Sequence, residues 1–257
     1  MQLLTLAALC VSLCAPSEAA TSSRLKVLCL HGFLGSGRSL SVQLNHLVMK
    51  TIDIAEFSFT DAPFMVPTFG KSKKYSWWSD IKRSNDKQTV EYVGLYDSIL
   101  KIAQEEKQRG PFDVLLGHSQ GAALVIAMAA LSNNPKLLCQ LASSSGKKYS
   151  FPIDMLEMPK PALSIILSGF LPRDYVFDEL FTNGSILTTP PRTLHIYANN
   201  DDILPPIASI EAIRIFKSPI VHITSNGHDP PRDDVTITNI GRFLESLYRE
   251  KACRSQN

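Results

Sequence analysis

Six short segments of the chain are apolar almost throughout and rich in β-branched residues. They are RLKVLCL (24–30), IDIAEFSF (52–59), FDVLLG (112–117), ALSIILS (162–168), TLHIYA (193–198) and IVHIT (220–224). Most lack the alternation of a strand with one wet face, which predicts a parallel sheet covered on both sides. The stretches between them carry helical spacing instead. In 88–107, Leu95, Ile99 and Ile102 recur beside glutamates and lysines. In 236–248, Ile237, Ile240, Phe243, Leu244, Leu247 and Tyr248 make one apolar stripe. Residues 120–132 are nearly all apolar and predict a buried helix, and Pro205-Pro206 opens another that runs to about Phe216. This alternation predicts a doubly wound α/β fold, a mostly parallel sheet with helices on both faces, as one domain over 24–250. Residues 60–87 and 170–191 show no clear period. They are expected as loops near the sheet's carboxyl edge, where ligands bind in such folds.

Composition changes this picture little. The chain has 257 residues, enough for a sizeable core, with 44% apolar and 19% charged residues. A net charge of +2, with KSKK at 71–74 as its sole basic cluster, gives nucleic acid little to bind. Residues 1–20 differ: LLTLAALCVSLCA is too short to span a bilayer and is followed by small residues at Ser17-Glu18-Ala19. That is the form of a secretory signal, although Met1-Gln2 supplies no basic side chain. A cleaved leader would place the protein in the secretory pathway or outside the cell, with no stable membrane insertion afterwards. An uncleaved hydrophobic extension would leave it cytoplasmic. Cys29, Cys139 and Cys253 remain after such cleavage and do not make a disulfide framework. Asn183-Gly184-Ser185 is a glycosylation sequon usable only by a secreted chain. Nothing in the pattern sets an oligomeric state.

Candidate chemistry centres on GHSQG, residues 117–121. A serine on a strained strand-to-helix turn, with glycines two residues either side, exposes its hydroxyl as a nucleophile. FDVLL supplies the strand and QGAALVIAMAALS the helix, so Ser119 is the expected nucleophile. It needs a base and an orienting carboxylate. Of six histidines, His195 and His222 sit inside strands, where a hydrogen-bonded core histidine is the expected role. His31 ends the first strand, His46 lies on a following helix, and His118 points away from its neighbour Ser119. His228, in the SNGHDPP loop after the last strand, is the expected base. The acid belongs in NNDDILPP after the preceding strand, where Asp201 and Asp202 both qualify; Asp174 is a third candidate, one strand earlier. The expected oxyanion donors are the backbone N–H groups of Gln120, at the helix N-terminus, and Phe33, in the loop after the first strand. HGFLGSG lacks the lysine of a phosphate-binding loop and does not spell G-x-G-x-x-G.

These blocks in order resemble the FSH-type ("family of serine hydrolases") branch of the α/β-hydrolases, over about Lys26 to Leu247. The similar stretches are VLCLHGFLGSG, the pair Trp77-Trp78, YVGLYDSILKI, GPFDVLLGHSQGAAL, LSIILSGFLPRD, LHIYANNDDILP and SNGHDPP. The family's acid block, H-[IV]-x-G-x-x-D-x-[IV]-[IV]-P, falls on 195–205. It implies Asp201 as the acid, with Ala198 where glycine is usual. The chain departs from the family at His118, where Phe is commoner, near Leu34 and Gly35, where polar residues are frequent, and in its apolar leader. The resemblance implies an α/β-hydrolase that cleaves small-molecule carboxylic esters or thioesters without metal or cofactor. Phe64, Phe69, Trp77, Trp78, Phe170, Tyr175 and Phe177 lie in the two unperiodic loops, with Trp77 and Phe170 expected to contact substrate. Two rivals stand beside this reading. One is an acyltransferase or peptidase on the same triad; the other is a non-catalytic binding protein that retains the fold, against which the intact Ser, Asp and His argue.

Overall fold

The computed structural model describes residues 23–67, 72–83, 90–145, 158–184, 186–190 and 192–254. The proposed leader, Phe69 and Ser185 of the sequon lie outside the described residues. In chain order the strands are β1 (Leu25–Leu30), β2 (Ala55–Thr60), β3 (Phe64–Val66), β4 (Lys74–Ser76) and β5 (Asp80–Arg83). Then come β6 (Val90–Val93), β7 (Val114–His118), β8 (Leu163–Leu167), β9 (Thr193–Ala198) and β10 (Pro219–Thr224). The helices are α1 (Gly37–Gln43), α2 (Asn45–Lys50), α3 (Leu95–Arg109), α4 (Gln120–Asn133) and α5 (Lys136–Ser144). They continue with α6 (Asp178–Thr182), α7 (Pro206–Arg214) and α8 (Asp234–Arg254).

Six strands form the central sheet in the order β10-β9-β8-β7-β1-β2, and every pairing in it is parallel. Two apolar layers sandwich it. One joins α3, α4, α5 and α7 to the face carrying Leu28, Leu30, Leu115 and Ile166. The other joins α1, α2 and α8 to the face carrying Val27, Cys29, Leu116 and Ile165. Both faces are covered, which accounts for the missing polar alternation in the sequence. Helix α4 is buried from Gln120 to Leu131, as its apolar residues on every side require. No helix among the described residues is long and apolar enough to cross a membrane.

The helix expected over 88–107 begins later. Residues Val90–Val93 pair antiparallel with Asp80–Arg83, and α3 starts only at Leu95, after Gly94 at φ 89°. The β-branched and aromatic side chains of VEYV fit a pleated ribbon better than a helix turn. Residues 60–87, expected as loop, also hold β3 and β4, an antiparallel pair. A bridge from Gly35 to Tyr75, with the Tyr75 N–H donating to the Gly35 carbonyl at 2.9 Å, ties this pair to the loop after β1.

Candidate active site

Because the six strands run in one direction, their carboxyl ends share one edge of the sheet, and five of them, β1, β7, β8, β9 and β10, feed the site. At the end of β7, Ser119 adopts φ 52° and ψ −114°, an unfavourable conformation for a residue with a Cβ, and α4 starts at the next residue. Its N–H donates to the Leu167 carbonyl of β8 at 2.9 Å, which anchors the turn. The flanking glycines have steric reasons: a Cβ at Gly117 would lie 2.5 Å from the Gly121 carbonyl oxygen, and one at Gly121 would lie 2.3 Å from that of Leu30.

Two loops meet over this serine. His228, four residues past β10, places Nε2 3.0 Å from Ser119 Oγ and Nδ1 2.8 Å from Asp201 Oδ2. Asp201, three residues past β9, has its other oxygen occupied: Oδ1 accepts from the Ile203 and Leu204 amides at 3.0 and 2.8 Å. Burial alone would raise the Asp201 carboxyl. The Leu204 amide, the His228 ring and the Ile203 amide outweigh it and leave the group below its ordinary value. Asp202 is exposed and outside this chain of bonds. Asp174 is buried elsewhere, accepting from the Tyr92 and Val176 amides at 2.7 and 3.1 Å. His222 meets Thr236 Oγ1 at 2.8 Å, as a core histidine should, whereas His195 leaves Nε2 without a partner among the described residues.

The loop after β1 closes the third side. A Cβ at Gly32 would lie 3.2 Å from the Ser119 Cβ, so the loop abuts the nucleophile turn. Burial pushes the His31 ring below the ordinary imidazole value, leaving it neutral with a single N–H. That hydrogen is on Nδ1, which donates to the Gly32 carbonyl at 2.7 Å, and Nε2 accepts from the Ala62 amide at 3.0 Å. The Gly32 carbonyl also accepts from the Gly35 amide at 3.0 Å. Fixing this carbonyl fixes the whole peptide plane, so the Phe33 N–H on its far side is fixed as well. The Gln120 N–H is the first of α4 and has no partner within its helix.

A cavity of about 410 Å³ opens on Ser119, walled by Phe33, Ser76, Trp78, Ser79, Ile81, Gln120 and Phe170. Phe170, expected to contact substrate, is on this wall. Trp77 is not. Its side chain is fully buried, its indole N–H donates to the His31 carbonyl at 2.8 Å, and the adjacent Trp78 forms the wall. The pair follows the end of β4 at Ser76, and its two rings part there, Trp77 into the core and Trp78 onto the cavity. Gln120 holds this wall in place: its side-chain oxygen accepts from the Trp77 amide at 2.9 Å and from Ser76 Oγ at 3.2 Å.

The family model described as "Serine hydrolase (FSH1)" matches residues 21–240, a span that contains every residue of the site. The chain belongs to this family. Among its relatives in the FSH1 serine hydrolase family is Esterase CG5412 of Drosophila melanogaster, 27% identical, with 92% of this chain and 81% of that protein covered. Human Esterase OVCA2 is 29% identical, with 80% and 89% covered. The crystal structure of Zea mays acyl-protein thioesterase 2 has the same α/β-hydrolase fold, at a TM-score of 0.58 and 18% identity, over 90% of this chain and 97% of that one. The chain is thus a hydrolase of the serine type on an α/β-hydrolase fold. The structure brings together the serine, histidine and acid loops that the sequence singled out. The sequence did not signal the contacts of His31 with Ala62, His118 with His228, or the Gln120 side chain with Trp77, because these partners are distant in the chain.

Proposed function

We propose that this hydrolase cleaves carboxylic esters or thioesters with an apolar acyl group, through an acyl-enzyme on Ser119. The observation that carries the reading is the unbroken Asp201–His228–Ser119 hydrogen-bonded chain opening on the cavity walled by Trp78, Ile81 and Phe170. Relatives named as esterases support the same bond type.

With Nδ1–H donated to Asp201, His228 Nε2 carries a free lone pair and takes the Ser119 proton as Oγ attacks the acyl carbon. The Asp201 carboxylate stabilises the resulting imidazolium. The tetrahedral oxyanion is received by the Phe33 and Gln120 N–H groups, the second backed by the α4 dipole. The imidazolium returns its proton to the leaving alcohol or thiol, and water activated by His228 then frees the acid and Ser119. Phe170 and Trp78 hold the acyl chain.

The test is covalent labelling with a fluorophosphonate, followed by a panel of p-nitrophenyl esters and acyl-thioesters of increasing chain length. Labelling that disappears in Ser119→Ala, with turnover reduced by about 10³-fold or more in Ser119→Ala and His228→Ala, supports the proposal. Folded wild-type protein that takes no label would sink it.

A further inference from the structure

His118 lies between the nucleophile turn, the oxyanion loop and the base loop, yet it makes no hydrogen bond to Ser119. Its Nε2 lies 2.8 Å from the backbone carbonyl oxygen of His228, and the two imidazole rings sit 5.2 Å apart, tilted by 51°. A carbonyl oxygen only accepts, so Nε2 carries the hydrogen and Nδ1 is bare. Nδ1 faces the oxyanion loop, where a Cβ at Gly32 would come within 3.1 Å of it. Burial holds the ring's pKa down at about 4 against any help from the nearby Asp229 and Asp201, so at neutral pH it is a neutral, single-donor group. Only 8% of the residue is exposed, and a ring this enclosed keeps one orientation.

We infer that His118 is a positioning residue for the proposed acyl transfer, pinning the backbone of the base His228 while the adjacent Ser119 engages its ring. Two consecutive residues of the elbow thus hold residue 228 at two points: His118 by the main chain and Ser119 by the side chain. Main-chain restraint is needed here because His228 sits on a loop directly after Gly227, at φ 60°, and not on a strand. A base displaced by a fraction of an ångström loses its alignment with Oγ before it loses its fold. The inference rests on the serine-nucleophile reading above, and its test separates the two.

Two variants divide positioning from packing. His118→Phe keeps the ring's bulk and removes the donor. His118→Gln gives up bulk and offers an amide N–H near the position of Nε2. The expected result is a fall in kcat and in the fluorophosphonate labelling rate on the order of tenfold for His118→Phe. KM should stay within about twofold, and His118→Gln should recover most of the loss. A residue that only fills space would give the opposite order, with Phe active and Gln impaired. Wild-type turnover in His118→Phe, or a His118→Gln variant no better than His118→Phe, overturns the inference and leaves the nucleophile assignment intact. Wild-type protein that takes no label removes the nucleophile assignment and this role together.

Discussion

Gly121 and Leu30 stand so close that a methyl group on Gly121 would lie 2.3 Å from the Leu30 carbonyl oxygen. The contact joins the first turn of the buried α4 to the carboxyl end of β1, and both are backbone, so neither side can rotate away. Gly121→Ala should therefore lower stability by about 1–3 kcal/mol or prevent folding, as overpacking in a tight core does. Urea unfolding measures it, together with the labelling rate of Ser119. An unchanged midpoint with an unchanged rate would mean that the crossing is looser than these distances state.

Asp201→Asn preserves shape and removes the charge that orients His228. Turnover of a p-nitrophenyl ester should fall by about 10³–10⁴-fold in a folded protein. The same substitution has a pH signature. The Asp201 carboxyl is depressed below its ordinary value of 3.8, so its stabilisation is complete above that pH. It declines as pH falls through the lower folded-state value. The stability gap between wild type and Asp201→Asn should accordingly be flat at neutral pH and close only in strong acid. A gap that closes near neutrality would assign it to another group.

His195 gives an independent test. It is 3% exposed, packs 5.1 Å from the Phe216 ring, and burial holds its pKa at about 3 against an ordinary 6.5. The folded state keeps it neutral, whereas the unfolded chain takes up a proton as pH falls below 6.5. Stability is therefore lost between pH 6.5 and about 3, with a slope of up to ~1.4 kcal/mol per pH unit from this residue. His195→Leu should flatten that part of the curve, and parallel curves for the two proteins would refute the assignment.

Phe170 lines the cavity together with Trp78 and Ile81. Truncation to alanine opens space for longer or branched acyl chains. On the chain-length panel Phe170→Ala should lose about four- to fifteenfold in kcat/KM on the best short ester, as one or two lost methylene contacts would, while the optimum moves to longer chains. An unshifted optimum would place the acyl group elsewhere.

Much of this architecture is legible from the chain. The core strands announce themselves because one helical layer buries Val27, Leu116 and Ile165 while the other buries their neighbours Leu28, Leu115 and Ile166, leaving no polar face. Ser119 and His228 are singled out by the punctuation around them, a glycine-framed turn and a loop after the last strand, and the structure brings the two side chains within 3.0 Å. The β5–β6 ribbon is missed because Leu95, Ile99 and Ile102 supply a helical period that reads as extending back through VEYV, and only Gly94 marks the break. Asp201 and Asp202 cannot be separated by position. The resemblance to the family's acid block favours Asp201, whereas the physical reason, the Ile203 and Leu204 amides that hold its carboxylate, exists only in three dimensions. Trp77 and Trp78 pose the same ambiguity, and Trp78, stacked on Tyr92 at 4.4 Å, is the ring that faces the cavity.

The strand order has a temporal consequence. β7 stands inside the sheet between β1 and β8, and its serine turn can form once those neighbours pair. His228, the proton acceptor of the proposed mechanism, follows β10, at the far edge and last in the sheet along the chain. On that mechanism a growing polypeptide displays an inert hydroxyl until its final strand docks against β9, and reactivity toward a covalent probe would report a completed molecule and pass over its precursors.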